Sequence, residues 1–215
     1  MRASRNILRQ SGSSMIEVLV TLIILLIGLL GLAGLMTQSQ RSEMESYQRV
    51  QALVLLQDMA GRINVNRAVA SCYAFTTNTT TGTPYLGVTG AGILTTIPPS
   101  CTVGTSTQNT QAQQDMQDWH NLLTGAAETL AGSGSVGAMV GARGCVSYDA
   151  TTLLTDTNGV PITGTGIYTI SVAWQGLGST FAPVGLTCAQ GLYGNEAQRR
   201  VVSLTFRVGS INNNN

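Results

Sequence analysis

The run Met15–Met36 constrains this chain more than any other feature, because it is apolar except for Glu17 and Thr21. A helix of about 20 such residues crosses a bilayer core of roughly 30 Å. Residues 1–12 (MRASRNILRQSG) carry Arg2, Arg5 and Arg9, which places them on the cytoplasmic side. A secretory signal has a shorter apolar core ending in an A-x-A-like site. This run is full length and has no such site near its end, which predicts a retained membrane helix.

Glu17 is the anomaly within the run. A carboxylate at bilayer depth costs a few kcal/mol, whereas an opposite charge about 4 Å away returns roughly 4 kcal/mol at an effective dielectric near 20. A cationic partner is the expected compensation. Gly28, Gly31 and Gly34 recur every third residue. They would permit close helix approach or, at about 1 kcal/mol each in a helix interior, local unwinding. With no proline before Pro84, a nearly continuous helix is expected.

Basic residues, then Gly12, Ser13-Ser14-Met15-Ile16, the acid Glu17 and an uninterrupted hydrophobic helix resemble the leader of type IV prepilins. The resemblance implies cleavage between Gly12 and Ser13 by a prepilin peptidase and methylation of the new Ser13 amine. It also implies that Glu17 pairs with the N-terminal amine of a neighbouring subunit during assembly. Ser13 departs from the bulky apolar residue often found after the cut in that family.

Beyond Met36 the pattern still reads as helix through roughly Arg67, with Ala52, Leu56, Met59 and Ile63 on one stripe. From Met15 to Arg67 such a helix would be roughly 80 Å long, so its distal half is expected to pack on a head domain. Thr76–Thr83 and Thr102–Thr110 read as polar surface loops. A second helix is expected over Asp115–Leu130, opened by an Asp115 cap, with Met116, Trp119, Leu123, Ala127 and Leu130 recurring at three or four.

After Gly144 the period changes to two: Tyr168, Ile170, Val172 and Trp174 share one strand face, and Val202, Leu204, Phe206 and Val208 another. Cys145–Tyr148 supplies a further strand, and Asp156-Thr157-Asn158-Gly159 a turn. The expected fold class is α+β: a type IV pilin-like long N-terminal helix laid across an antiparallel sheet of three to five strands. The expected division is 1–12 leader, 13–36 transmembrane and assembly helix, 37–67 continuation into the head, and 68–215 head.

Cys72, Cys101, Cys145 and Cys188 all follow the apolar run, without CxxC spacing and with a single His in the chain. Two disulfides formed in an oxidising compartment are expected. Of the three possible pairings, Cys72 with Cys101 and Cys145 with Cys188 brackets loop-rich stretches. The formal net charge is +1, and without the three leader arginines eight Arg face ten acids, giving −2. Such a balance argues against a nucleic-acid partner.

Gly141-Ala142-Arg143-Gly144-Cys145, the stretch YTISVAWQG from Tyr168 to Gly176, and Arg200-Val201-Val202 resemble PilV-type minor pilins. That resemblance implies a low-abundance subunit that helps initiate or cap a pilus beside other major and minor pilins, with roles in twitching motility or adhesion. A tip adhesin and the inner-membrane assembly platform would be further partners. The precursor would sit in the inner membrane with its N-terminus in the cytoplasm and its head in the periplasm, then move to the pilus at the cell surface. A type II secretion pseudopilin, and a membrane-anchored periplasmic enzyme or ligand-binding protein with an uncleaved anchor, are the alternative readings.

No catalytic residues, metal site or cofactor are expected. Gly132, Gly134 and Gly137 match G-x-G-x-x-G but follow a helix rather than a strand. His120 has no G-x-S-x-G elbow or acidic partner at defined spacing. Asp115, Asp118, Asp149, Asp156 and Asn158 do not form the regular calcium loop and read as caps and turns.

Overall fold

The computed structural model describes residues 14–126, 129–130, 134–135 and 139–209. The chain divides into two units, Met1–Met44 and Glu45–Asn215. A single helix, α1 (Met15–Val65), contributes to both. A 3-10 segment, Arg67–Tyr73, follows it. Then come β1 (Leu86–Gly87), α2 (Ser106–Leu123), the short β2 (Thr129–Leu130) and β3 (Gly134–Ser135), β4 (Arg143–Asp149), β5 (Ile167–Gln175) and β6 (Arg199–Arg207). The architecture is α+β: a long N-terminal apolar helix and a four-stranded antiparallel sheet in the order β1-β4-β5-β6.

In the second unit the α1 stripe Ala52, Leu56, Met59 and Ile63 is fully buried and shares one core with Met116 and Trp119 of α2 and Ile170 and Val172 of β5. The face expected for β5 is realised, with Tyr168, Ile170 and Val172 fully buried, but burial does not alternate: Ser171 and Ala173 on the opposite face are buried as well, Ala173 in a second cluster with Cys145, Cys188 and Tyr193. The register sets Val146, Ile170 and Leu204 in one rung and Tyr148, Tyr168 and Phe206 in the next. In that second rung the rings of Tyr148 and Tyr168 lie 4.6 Å apart, and those of Tyr168 and Phe206 5.9 Å apart. Such cross-strand aromatic pairs add to area burial in fixing the register. β6 is an edge strand, which leaves Leu204 partly exposed.

Several boundaries differ from the sequence reading. The helix expected from Asp115 starts at Ser106 instead, because Thr105 caps it. The Thr105 side chain accepts from the Gln108 backbone N–H, while the Gln108 side chain accepts from the Thr105 N–H at 3.0 Å. This reciprocal box satisfies two orphan donors at once and overrides the loop-like composition of Thr102–Thr110. The helix also ends at Leu123 rather than Leu130. Gly125, at φ +77, takes the left-handed conformation past its end, and the Gly125 N–H donates to Leu122 O at 3.1 Å. Leu130 lies in β2 instead, paired with Gly134.

α1 stops at Val65, short of the expected Arg67, which opens the 3-10 segment. Asn66 faces inward there and donates to Gln108 O at 2.9 Å and to Tyr73 Oη at 3.2 Å. Thr76, expected on a surface loop, is buried: its hydroxyl accepts from the Val146 N–H at 3.0 Å and donates to Pro84 O at 2.8 Å. The expected turn at Asp156 is present, and Asp156 Oδ1 accepts from the N–H groups of Asn158 and Val160, both at 2.8 Å.

Candidate functional site

Two sets of residues are candidates for function: the apolar half of α1, and the polar pegs that tie the other half of α1 to the sheet and to α2. In the first unit, every large apolar side chain from Met15 to Met36 is exposed, and Leu30 retains 72% of its surface. The helix is long and apolar enough to cross a membrane by length and composition, and none of its most apolar stretch is buried within the chain. A helix that is apolar all round belongs in a low-dielectric surrounding supplied by something else. Thr21 and Thr37 return their hydroxyls to the helix, donating to Val18 O and Gly34 O at 2.8 Å, so neither leaves a donor to be satisfied outside. At Gly28, Gly31 and Gly34 an added Cβ would meet nothing within 4 Å. The surface there is open to close approach by another body.

Glu17 stands in the first turn of α1, and its N–H donates to Ser14 O at 2.9 Å. The carboxylate is exposed and makes no ion pair among the described residues. Gly12 and Ser13, and with them Arg2, Arg5 and Arg9, lie outside the described residues.

In the second unit, α1 carries polar contacts along the same length as its apolar stripe. Glu45 accepts from Arg200 Nη2 at 3.1 Å, and Gln48 accepts from Trp174 Nε1 at 3.2 Å. Leu55 O accepts from Trp119 Nε1 at 3.0 Å. Arg62 donates to Asp58 at 2.8 Å and to Asp115 at 3.0 Å. Each buried indole is therefore satisfied by the helix. Asp115, read from the sequence as a cap, is a buried acceptor instead, with Tyr73, Gln111 and Arg62 as donors.

Both disulfides are present, Cys72–Cys101 and Cys145–Cys188, and no described cysteine is free. Cys145 anchors its bridge on β4, while Cys188 stands in the long connection between β5 and β6. His120 Nδ1 accepts from the Gly87 N–H at 3.1 Å, and burial lowers its pKa. It therefore pins β1 to α2. Arg143 lies between two tyrosine rings, 5.4 Å from the centre of Tyr85 and 4.9 Å from that of Tyr193. Sequence reading gave Arg143 only as part of the stretch Gly141–Cys145 and not this packing, because only the folded connections bring Tyr85 and Tyr193 to it. Among the described residues no group of three or more His, Cys, Asp or Glu is placed to hold a metal ion.

Residues 34–117 match a family model described as Tt1218-like, Type IV pilin Tt1218. Over that stretch the chain is similar to type IV pilins. The matched stretch runs through the head half of α1, the 3-10 segment, β1 and most of α2, less than half of the chain. Glu17 and strands β4–β6 lie outside it. No curated protein and no solved structure matches the chain.

Proposed function

We propose that this chain is a minor pilin of a type IV pilus, of the PilV-like kind, made as an inner-membrane precursor and then incorporated into the filament or used to prime it. One observation carries the reading: the exposed apolar run Met15–Met36 of α1 bears a single carboxylate, Glu17, with no ion-pair partner among the described residues. In a single-pass anchor that carboxylate has no task. In an assembly of many such helices it is both a cost and a register mark, because only a cation at the matching depth relieves it.

In this reading residues 1–12 are a leader, 13–36 the membrane and assembly helix, 37–67 its continuation, and 68–215 the head. Prepilin peptidase cuts between Gly12 and Ser13 and methylates Ser13, and the new terminal amine of one subunit meets Glu17 of the next. The N-terminus starts in the cytoplasm and the head in the periplasm. Other major and minor pilins, the assembly platform and a tip adhesin are the partners.

The deciding experiment is N-terminal sequencing of the protein from cells with and without prepilin peptidase. Ser13 is expected as the first residue when the peptidase is present, and Met1 or its neighbour when it is absent. Residues 1–12 persisting in cells that hold an active peptidase would overturn the proposal.

A further inference from the structure

The face of the sheet opposite the α1 core carries a groove lined by hydroxyls. Ser147 on β4 pairs with Thr169 on β5, which pairs with Thr205 on β6, so one rung holds three hydroxyls in a row, about 4.8 Å apart across the strands. In the neighbouring rung Ser171 stands opposite Ser203. Strand alternation sets all of these on the face opposite Val146 and Ile170, which fill the core.

A groove of about 590 Å³ lies over Ser147, Thr169 and Ser171, within the range of roughly 300–1,000 Å³ usual for ligand clefts. Its walls are Thr76, Thr77, Thr79 and Gly82 together with residues 185–188, two segments that meet each other. Both walls are held in place. The Cys145–Cys188 bridge ties the second to the floor, and Thr187 Oγ1 donates across to Thr79 O at 2.6 Å. Arg199, only 1% exposed, donates to Leu186 O at 2.7 Å and Cys188 O at 3.1 Å from behind. A cleft fixed in this way loses little freedom when it is filled.

Ser171 is more buried than Ser147 and Thr169, at 7% exposed, and lines the groove. Its hydroxyl makes no hydrogen bond among the described residues and is not one of the fully buried atoms left without a partner, so it opens onto the groove, where a ligand can reach it. The hydroxyls of Ser147, Thr169 and Thr77 are likewise unengaged within the described chain.

The lining selects the ligand class. Among the described residues the lining contains no Arg, and Asp149 is its one charged side chain, so phosphate, sulfate and nucleic acid find no cation there. Among the same residues Leu186 is the one aliphatic side chain in it, which gives an apolar ligand little to rest on. β5 is paired on both sides, and beyond the short β1 pairing the β4 edge is taken by Thr76, whose N–H donates to Val146 O and whose hydroxyl accepts from the Val146 N–H, so an added strand finds no run of free edge to join. What remains is a neutral molecule rich in hydroxyls, able to donate to and accept from serine and threonine. We infer that this groove binds a short neutral oligosaccharide, held by Ser171, Thr169, Ser147 and Thr77. The inference stands apart from the filament reading, because the site lies wholly within the second unit.

The test uses the full chain in lipid nanodiscs, free of glycoside detergent, titrated with maltotriose, cellotriose and triacetylchitotriose by calorimetry and saturation-transfer NMR. Saturable binding of at least one is expected, with Ser171→Ala and Thr169→Val each weakening it by about fivefold or more. Disulfide mapping and circular dichroism establish that the variants are folded. If a floor variant does not fold, Thr77→Val, at an exposed wall position, carries the same expectation. The inference is overturned if none of the three sugars binds, if a sialylated sugar, a sugar phosphate or an extended peptide binds more tightly, or if the folded variants bind as the wild type does.

Discussion

Tyr73 donates its phenolic hydroxyl to Asp115 Oδ2 at 2.5 Å, joining the 3-10 segment to α2 in the interior of the head. Burial, then the bond to Asp115, drives the Tyr73 pKa upward, so the phenol stays protonated and the bond keeps its donor. Arg62 Nη1 reaches the other oxygen of the same carboxylate at 3.0 Å, which brings α1 into the junction. Three elements therefore meet on one carboxylate. Tyr73→Phe is expected to cost about 1.5 to 3 kcal/mol, the range for a hydrogen bond to a charged group. Denaturant unfolding of the solubilised chain, followed by tryptophan fluorescence, measures it. A variant as stable as the wild type would mean that water replaces the phenol.

Gly144 is a close-packing position of a different kind. A Cβ there would stand 2.2 Å from Trp119 Cη2 and 2.7 Å from Leu123 Cδ1. Trp119 has no room to retreat, being fully buried and bonded through Nε1 to Leu55 O. Gly144→Ala is expected to cost at least about 2 kcal/mol by overpacking, whereas Gly178→Ala, with nothing within 4 Å, serves as the control. Equal midpoints for the two variants in urea would refute the packing argument.

The contrast between these two contacts shows what the sequence could and could not convey. The stripe Ala52, Leu56, Met59 and Ile63 was legible because burial repeats with the period of the helix, and Tyr168, Ile170 and Val172 because large apolar residues repeat with the period of the strand even where both of its faces are buried. The start of α2 was missed because its signal is two residues, Thr105 and Gln108, inside a stretch whose composition resembles a loop. Asp115 was misread for the same reason: an acid at a helix start and an acid buried against Arg62 and Tyr73 are identical until long-range contacts are known. The hydroxyl rung of Ser147, Thr169 and Thr205 depends on strand register, which no local pattern carries.

His120 gives the head a pH dependence whose sign is fixed. Burial lowers its pKa from the ordinary 6.5, and the neutral ring accepts the Gly87 N–H through Nδ1. The unfolded chain therefore binds this proton more readily than the folded one. The contribution of His120 is complete above about pH 6.5 and is lost as pH falls from there through the depressed folded value. Compared with wild type, His120→Gln is expected to flatten the stability profile between pH 7 and 5. Parallel profiles for the two proteins would remove His120 as the source.

Each disulfide closes a long loop, with sequence separations of 29 for Cys72–Cys101 and 43 for Cys145–Cys188. Loop-closure entropy for such lengths corresponds to about 3.5 to 4 kcal/mol per bridge. Replacing Cys145 and Cys188 together by Ser is expected to lose that amount and to free the 185–188 wall of the groove, weakening sugar binding as well. Replacing Cys72 and Cys101 is expected to lose similar stability while leaving binding intact, since neither lines the groove. Equal effects of the two pairs on binding would argue that general loosening, not the wall, governs the site.

Glu17 separates anchoring from assembly. The N-terminal end of α1 favours a carboxylate by about 0.3 to 1 kcal/mol, which does not offset the few kcal/mol of taking it into an oily surrounding. The balance has to come from a cation, and none is paired with it among the described residues. Removing the charge should therefore leave insertion intact while abolishing the gain from pairing. Glu17→Val and Glu17→Ala are expected to reach the membrane fraction at wild-type levels and to be depleted from sheared filaments, as read by immunoblot of both fractions. Glu17→Asp, which keeps the charge on a shorter arm, should fall between them. Wild-type recovery of both neutral variants in filaments would mean that the apolar surface alone directs assembly and that Glu17 has no part in it.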